Sequence, residues 1–331
     1  MISIFYGTRP EYIKLYKLYT EMKIANFDCE LVKVNQHTTL IEDCYFDRLV
    51  DISSTDNNRL NSIVQQTLNS KLFVSNTTYV IVQGDTATSF GIALNAFHNK
   101  IKLIHIEAGL RTWDKENPYP EETYRKCISS MADVHFCVSE LNKQVLQNEK
   151  VNGTIHVVGN TVLDNLDNEN VFYGNTVPIT LHRRENKDRI EKVLKAIDDV
   201  ALNFKHLNFV YVTHPSVTID KEFKNISVLS PQSYPSMINL LKQSKFIITD
   251  SGGIQEEASF FKKRTIVVRK ETERKEGLGT FSVLAFEPIC ITECIRDFDK
   301  YYEVSEICPY GDGKSVEKII ITLKKSTNEI I

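Results

Sequence analysis

The fold is decided by a stretch at the start of the chain, Ile2-Ser3-Ile4-Phe5-Tyr6-Gly7-Thr8-Arg9-Pro10-Glu11. An apolar run that stops at a glycine predicts a buried strand, and a helix should follow because Thr8 and Glu11 have capping-box spacing and Pro10 suits a first turn. Capping does not account for Arg9, which stands where a helix begins beyond a strand, a place that favours anions. We therefore predict that Arg9 binds an anionic ligand. Lys14, further along the helix, is either a second ligand or an ordinary solvated lysine.

Strand-like and helix-like stretches alternate along the rest of the chain. Short runs rich in β-branched residues alternate with longer amphipathic stretches, which is typical of parallel sheets covered by helices. The predicted strands are Ile2–Tyr6, Glu30–Val34, Thr78–Val82, Lys102–Ile106, His135–Val138, Ile155–Val158, Val177–Leu181, Asn208–Thr213, Ser227–Leu229, Phe246–Thr249 and Thr265–Val268.

Two domains are expected, because 331 residues exceed the usual size of one α/β domain. The segment 160–175 turns polar and rich in asparagine, and we predict the hinge there. An N-terminal Rossmann-like domain at 1–165 and a C-terminal one at 166–312 should precede a final amphipathic helix at 313–331. The expected fold class is therefore α/β, with two doubly wound domains and ligands in the crevice outside the strand carboxyl ends.

Composition excludes several classes of function. The formal net charge of −3 provides no basic field for nucleic acid or an anionic membrane. No apolar run approaches the ~18 residues that span a bilayer, and the start lacks the basic region of a signal peptide, so we expect a cytoplasmic protein. Seven cysteines without a CxxC pair read as reduced thiols. Without GxGxxG or HExxH, neither NAD nor a catalytic metal is expected, and we predict no cofactor.

A second candidate anion site follows the run Phe246–Thr249. Its sequence is Asp250-Ser251-Gly252-Gly253-Ile254-Gln255-Glu256-Glu257. Paired glycines let a backbone approach a ligand and a new helix presents N–H groups to a diphosphate, although an ordinary glycine-containing turn is the alternative. Glu257 is placed to accept hydrogen bonds from a ribose. His182-Arg183-Arg184-Glu185-Asn186, after another strand, either clamps a phosphate or forms a solvated ion-paired turn.

Carboxylates follow two successive strands of the first predicted domain. Gln83-Gly84-Asp85-Thr86 comes after one strand, Glu107-Ala108-Gly109-Leu110-Arg111-Thr112 after the next, and Pro120-Glu121-Glu122 lies beyond. Strands that end in carboxylates, facing an anion site, form a candidate acid/base set. Alternatively, either carboxylate caps the following helix or pairs with Arg111 or Arg125.

Taken in order, these segments resemble the UDP-N-acetylglucosamine 2-epimerase family. The resemblance covers nearly the whole chain. Each motif alone is a weak signal, but the complete set in this order is specific for the family. The matching segments are Gly7-Thr8-Arg9-Pro10-Glu11, Gln36-His37, Gln83-Gly84-Asp85-Thr86, Glu107-Ala108-Gly109-Leu110-Arg111-Thr112, Pro120-Glu121-Glu122, Gly159-Asn160-Thr161, His182-Arg183-Arg184-Glu185-Asn186, Asp250-Ser251-Gly252-Gly253-Ile254-Gln255-Glu256-Glu257, Thr272-Glu273-Arg274 and Pro309-Tyr310-Gly311-Asp312-Gly313-Lys314.

The resemblance implies a GT-B fold, two Rossmann-like domains with a cleft between them and a last helix that crosses back to the first domain. It also implies an isomerase that converts UDP-GlcNAc to UDP-ManNAc, or a deoxy or L-configured relative. UDP leaves the anomeric carbon, carbon 2 is deprotonated, and UDP adds back to the resulting glycal with a proton delivered to the opposite face. A homodimer and a role in polysaccharide biosynthesis are further implications.

Roles of individual residues are also implied by the resemblance. Asp85, Glu107 and Glu121 become the acid/base set, and His182 lies beside the departing diphosphate. The expected substrate-binding residues are Arg9, Ser251, Gly252, Gly253 and Arg274 at the phosphates, Glu257 at the ribose and Gln232 near the uracil, with Lys14 and Arg125 added to the set.

Three other functions remain open from the sequence. A hydrolysing epimerase would release UDP and free ManNAc because water intercepts the intermediate. A GT-B glycosyltransferase would share the fold and the UDP site without needing carboxylates on both faces of carbon 2. A non-catalytic sensor would bind the UDP-sugar without turnover.

Overall fold

The structure, a computed structural model, describes residues 1–35, 44–52, 58–215, 217, 219 and 221–328. Gln36-His37, one of the segments that resemble the epimerase family, lies outside the described residues. The chain forms two compact units, a first unit of Met1–Asn165 with Gly311–Ile331 and a second unit of Leu166–Tyr310. Each unit has its own parallel sheet with α-helices between most successive strands, so the predicted α/β class is confirmed.

The sheet of the first unit has strand order β3-β2-β1-β4-β5-β6-β7, and all its pairs are parallel. Because the order reverses beside β1, the carboxyl ends of β1, β4 and β5 lie next to one another at one edge. The elements are β1 (Ile2–Tyr6), α1 (Arg9–Ile24), β2 (Cys29–Asn35), β3 (Arg48–Asp51), α2 (Arg59–Asn69), β4 (Tyr79–Gln83), α3 (Ala87–His98), β5 (Lys102–Ala108), α4 (Glu121–Met131), β6 (Val134–Cys137), α5 (Glu140–Asn148) and β7 (Thr154–Val157).

The second unit repeats this plan with strand order β10-β9-β8-β11-β12-β13, again parallel throughout. Within the described ranges no helix is both long and apolar enough to cross a membrane. The remaining elements are β8 (Thr176–Thr180), α6 (Ile190–Ala201), β9 (Asn208–Val212), β10 (Ile226–Leu229), α7 (Tyr234–Lys242), β11 (Ile247–Thr249), α8 (Gly252–Phe260), β12 (Thr265–Val267), β13 (Ser282–Leu284), α9 (Pro288–Lys300) and α10 (Ser315–Asn328).

The predicted capping box at the start of α1 is present. The Thr8 side chain accepts from the Glu11 N–H, and the Glu11 carboxylate accepts from the Thr8 N–H at 2.7 Å. The other Glu11 oxygen accepts from the hydroxyls of Thr86 and Ser89, each at 2.7 Å, at the start of α3. Glu11 therefore joins the N-termini of two helices, and Arg9, the first residue of α1, is exposed.

The last helix, α10, belongs to the first unit and packs its apolar face there. Val316, Ile319 and Leu323 join a buried cluster with Leu15 and Leu18 of α1. Its N-terminus is capped by Asp164, whose two carboxylate oxygens accept from the N–H groups of residues 315 and 316 at 3.1 and 2.8 Å. Burial raises the pKa of Asp164.

Every predicted strand is present, with ends that differ by a residue or two. Two strands were not predicted from the sequence, β3 and β13, and both lie at the edge of a sheet. β3 is Arg48-Leu49-Val50-Asp51 and alternates between half-buried and exposed residues. A strand at the edge of a sheet need not be buried on both faces. Neither segment therefore has the continuous apolar run that identifies a central parallel strand.

Candidate active site

Two of the predicted catalytic carboxylates follow neighbouring strands of the first unit. Asp85 comes after β4 and Glu107 is the next-to-last residue of β5. A register shift between Ile106 and Ala108 marks a bulge, and Glu107 has a φ of 67° there. Such a conformation is costly for a residue other than glycine and is typically retained where surrounding structure enforces it. The bulge redirects the Glu107 side chain at the sheet edge where ligands bind in this topology.

Glu107 is held by amide and ammonium groups. Its side chain is 4% exposed and accepts from the Lys14 ammonium at 2.5 Å, from the Gln83 amide, and from the Asn160 amide at 3.4 Å. Lys14 is therefore not simply a solvated lysine, because it forms an ion pair with a predicted catalytic group. The ammonium and the two amides all donate to this carboxylate and so fix its position.

Asp85 pairs with Arg125, as one of the alternatives from the sequence proposed. The Arg125 guanidinium donates from Nε at 2.7 Å and approaches with Nη2 at 2.6 Å, both to Oδ2 of Asp85. The Asp85 side chain nevertheless keeps 24% exposure, whereas that of Arg125 has 5%. Arg111, the other suggested partner, forms a bidentate pair with Glu149 instead.

Adjacent glutamates at the start of α4 have different environments. Glu122 is buried and accepts from the N–H groups of Thr112 and Trp113 at 2.9 and 3.0 Å and from Arg125 at 3.2 Å. These bonds commit Glu122 to holding the loop after β5 and orienting Arg125. Glu121 is half-buried in the first turn of the same helix. Of the two, Glu121 is therefore the better candidate for proton transfer.

In the second unit, His182 lies just beyond the carboxyl end of β8 beside a buried aspartate. Asp250 is fully buried and accepts from the N–H groups of His182 and Arg183 and from the Asn186 amide, between 2.9 and 3.1 Å. The His182 Nδ1 lies 3.5 Å from Asp250 Oδ1, and its ring stacks on that of His214 with centroids 4.8 Å apart. Burial lowers the pKa of His182, against the opposing charge of Asp250.

The glycine turn after β11 begins helix α8, and its two glycines serve different purposes. The Ser251 hydroxyl accepts from the Ile254 N–H as the N-cap. A Cβ on Gly252 would lie 2.9 Å from a Glu273 oxygen and 3.1 Å from the Arg274 guanidinium, whereas one on Gly253 would meet only the Ser251 hydroxyl at 4.0 Å. Gly252 thus permits close packing, and Gly253 leaves the helix N-terminus open to a ligand.

Arg274 lies against this turn but is committed to carboxylates. It donates to Glu256 at 2.9 Å and to Glu273, and Glu273 also pairs with Arg269 at 2.9 Å. These contacts do not test phosphate binding by Arg274, so that role stays a prediction. Glu257 accepts from the Tyr234 hydroxyl of α7 at 3.0 Å, and Gln232, exposed, donates to the Ser230 carbonyl.

Comparison with known proteins adds a separate line of evidence. The profile described as UDP-N-acetylglucosamine 2-epimerase matches residues 22–324. The chain belongs to this family. It is 34% identical to the UDP-N-acetylglucosamine 2-epimerase of Campylobacter jejuni, over 100% of this chain and 99% of that protein. Epimerases are isomerases, so the predicted family and enzyme class are confirmed.

Solved structures agree with the family assignment. The UDP-GlcNAc 2-epimerase of Neisseria meningitidis bound to UDP-GlcNAc has a TM-score of 0.85 and 29% identity, covering 98% of this chain and 99% of that one. That of Methanocaldococcus jannaschii in complex with UDP-GlcNAc and UDP has a TM-score of 0.84 and 28% identity, with the same coverage of both chains. The GT-B fold expected for an epimerase of this family is thereby confirmed.

Some residues of this epimerase-family site could not be chosen from the sequence alone. Gln83 and Asn160 stand inside recognised motifs, but only the fold shows that both amides bind Glu107. His214 follows β9 just as His182 follows β8, so its position after a strand of the same sheet was the available signal. In the sequence Asp250 stands at the head of a glycine turn, which gives no sign that it accepts from the backbone after β8.

Acid is expected to destabilise the protein through its buried histidines. Burial lowers the pKa of His105 to about 3 and also lowers that of His135. Where folding lowers the pKa of a histidine, the unfolded chain binds more protons than the folded chain once the pH falls below the ordinary pKa of ~6.5. The free energy of unfolding therefore decreases as the pH falls from there. Each such group should cost about 1.4 kcal/mol per pH unit. Urea unfolding at several pH values should show a shallower acid slope for His105→Gln than for the parent protein; equal slopes would contradict this.

Proposed function

We propose that this protein inverts carbon 2 of a UDP-2-acetamido sugar, interconverting UDP-GlcNAc and UDP-ManNAc or a deoxy or L-configured relative. The observation that carries the proposal is the pair of carboxylates after neighbouring strands, Asp85 with Arg125 and Glu107 with Lys14. An inversion at carbon needs one group that removes a proton and another that returns one to the opposite face. The family relatives crystallised with UDP-GlcNAc support the same substrate class.

The proposed reaction proceeds through a glycal. One carboxylate removes the carbon 2 proton, the bond from the anomeric carbon to the UDP oxygen breaks, and its electrons leave with UDP. A double bond then joins carbons 1 and 2. UDP adds back to carbon 1 while a carboxylic acid protonates carbon 2 from the other face. Asp85, Glu107 and Glu121 form the acid/base set, and His182 stabilises charge on the departing diphosphate.

We assign the nucleotide to groups of the second unit in the segments that follow β10 and β11. The first turn of α8, with Ser251, Gly252 and Gly253, offers backbone N–H groups to the diphosphate. Glu257 is assigned to the ribose and Gln232 to the uracil. Arg9, Lys14, Arg125 and Arg274 complete the proposed substrate-binding set.

We also propose the setting that the family resemblance implies: a cytoplasmic homodimer that supplies polysaccharide biosynthesis. All seven cysteines are free thiols, as expected for a reducing compartment. Analytical ultracentrifugation of the purified chain would test the dimer, and a sedimenting monomer at micromolar concentration would contradict it.

Proton NMR of the purified protein with UDP-GlcNAc in deuterated water tests the reaction itself. We expect the carbon 2 proton signal to disappear while a manno product grows with UDP still attached. Free ManNAc and UDP would instead identify a hydrolysing epimerase. An inert mixture would exclude UDP-GlcNAc as the substrate, and exchange without added acceptor would exclude a glycosyltransferase as the sole activity.

A further inference from the structure

A buried histidine of β5, His105, forms a hydrogen bond with Gly84, the residue that precedes Asp85. The His105 side chain is almost fully buried, and its Nε2 lies 2.9 Å from the Gly84 carbonyl oxygen. The Gly84 N–H in turn donates to the Ile106 carbonyl at 3.0 Å. Residue 84 is therefore held from both sides by consecutive residues of the strand that carries Glu107.

The hydrogen bond to the Gly84 carbonyl identifies the tautomer of the His105 ring. A carbonyl oxygen only accepts, so Nε2 of His105 must carry the proton and the ring must be the neutral Nε2–H tautomer. Among the described residues its buried Nδ1 has no hydrogen-bond partner. Burial lowers the pKa of His105 to about 3, which keeps the ring neutral at the pH of most assays. The single bond to Gly84 is thus the one polar interaction that this costly buried group makes in the described structure.

That bond acts on the peptide unit that joins Gly84 to Asp85. Gly84 has a φ of 69°, a conformation that glycine adopts readily, and a Cβ there would meet no atom within 4 Å. The carbonyl of residue 84 and the N–H of residue 85 belong to one planar peptide unit, and rotation of that unit would turn Asp85. The His105 bond opposes this rotation.

We propose that His105 is a positioning residue for carbon 2 epimerisation: by holding the Gly84 carbonyl it fixes the direction of Asp85 relative to Glu107. This inference rests on the proposed function, which assigns both carboxylates to proton transfer. His105 touches neither carboxylate nor substrate in this account. It acts through the backbone, and Gln83 completes the arrangement by donating its side-chain amide to Glu107 from the other side of Gly84.

The adjacent strand supplies a matched control. His135 pairs with His105 in the register of β5 and β6, is equally buried, and has the same half-satisfied ring. Its Nε2 lies 2.9 Å from the carbonyl of Asn152, in the turn before β7, which carries none of the proposed catalytic residues. Loss of either histidine should cost comparable stability, but only one loss should disturb Asp85.

The test compares His105→Leu, His105→Gln and His135→Leu by the rate of carbon 2 exchange and by UDP affinity. We expect His105→Leu to lower kcat about 10- to 100-fold, since small displacements of a catalytic group have effects of that size. KM and UDP affinity should stay within about twofold. His105→Gln, whose amide nitrogen can reach the Nε2 position, should recover most of the rate. His135→Leu should lower Tm as much while kcat changes less than about twofold.

Equal kcat values for His105→Leu and His135→Leu would overturn the inference. Should the leucine variant not fold, His105→Asn replaces it: the shorter amide cannot reach Gly84, so it should be slower than His105→Gln, and equal rates would again overturn the proposal. A parent protein inert toward UDP-sugars would refute the proposed function instead. Crystal structures of the variants would then test the positioning alone, because an unchanged orientation of the peptide between residues 84 and 85 in His105→Leu would contradict it.

Discussion

Replacing Glu107 by glutamine is expected to lower the rate of carbon 2 exchange by about 10²- to 10⁴-fold, the usual contribution of a general acid or base. Glutamine has nearly the same shape but cannot take up the carbon 2 proton. Asp85→Asn should have an effect of the same order if the two carboxylates act on opposite faces of the sugar. Deuterium incorporation followed by NMR measures this step directly, and calorimetric titration with UDP reports binding separately.

The control for these variants is another ion-paired carboxylate of the same sheet. Glu30 pairs with Arg48 at 2.7 Å and has no place in the proposed site, so Glu30→Gln should keep the parent's exchange rate. UDP affinity should survive in Asp85→Asn and Glu107→Gln, because the proposed nucleotide contacts are made largely by the second unit. Full exchange activity in both variants would remove these carboxylates from the mechanism. Binding without turnover in the parent protein itself would favour the sensor.

What the sequence predicts well is local. The capping box of Thr8 and Glu11 depends on two residues three positions apart, and the strands that alternate with helices depend on runs of neighbouring apolar side chains. Both were recovered in the structure. The bonds from Glu11 to Thr86 and Ser89 join positions more than seventy residues apart. No spacing rule reaches across that distance, so they appear only once β1 and β4 pair.

The same limit applies to the site. Strand ends and glycine turns indicated which segments would meet at a sheet edge, and the resemblance to the epimerase family indicated their order. The sequence does not identify the ion-pair partner of each charged residue, because Asp85 has two candidate arginines and Lys14 could be solvated. In the structure a bulge lies at Glu107, which pairs with Lys14. Arg111 pairs with Glu149, and Asp85 pairs with Arg125. Ion pairs of this kind join residues that are far apart in the sequence, so they depend on the tertiary structure.

Replacing Arg269 by methionine is expected to lower the free energy of unfolding by about 3–5 kcal/mol, the cost of removing one partner from a buried ion pair. The Arg269 side chain is fully buried and pairs with Glu185 and Glu273, each at 2.9 Å. Glu273 also contacts Arg274, which pairs with Glu256, so positive and negative groups alternate along one buried row. Methionine fills similar space but would leave the Glu273 carboxylate with one cation fewer.

Urea unfolding at neutral pH measures the effect, with Lys195→Met as the control. Lys195 forms an exposed pair with Asp199 four residues along α6, and its loss should leave the unfolding midpoint unchanged. The double variant Arg269→Met with Glu273→Gln should be more stable than Arg269→Met alone, because the carboxylate that lost one of its two cations is then neutral.

The same change should also weaken nucleotide binding. A Cβ at Gly252 would lie within 3.1 Å of both Glu273 and Arg274, so the buried row packs directly against the first turn of α8. Loosening the row would displace the N–H groups that are proposed to hold the diphosphate. UDP affinity should therefore fall in Arg269→Met at a temperature where the variant is still folded. A variant as stable as the parent would show that desolvation of these charges cancels their attraction, and the row would then contribute to the geometry of the turn rather than to stability.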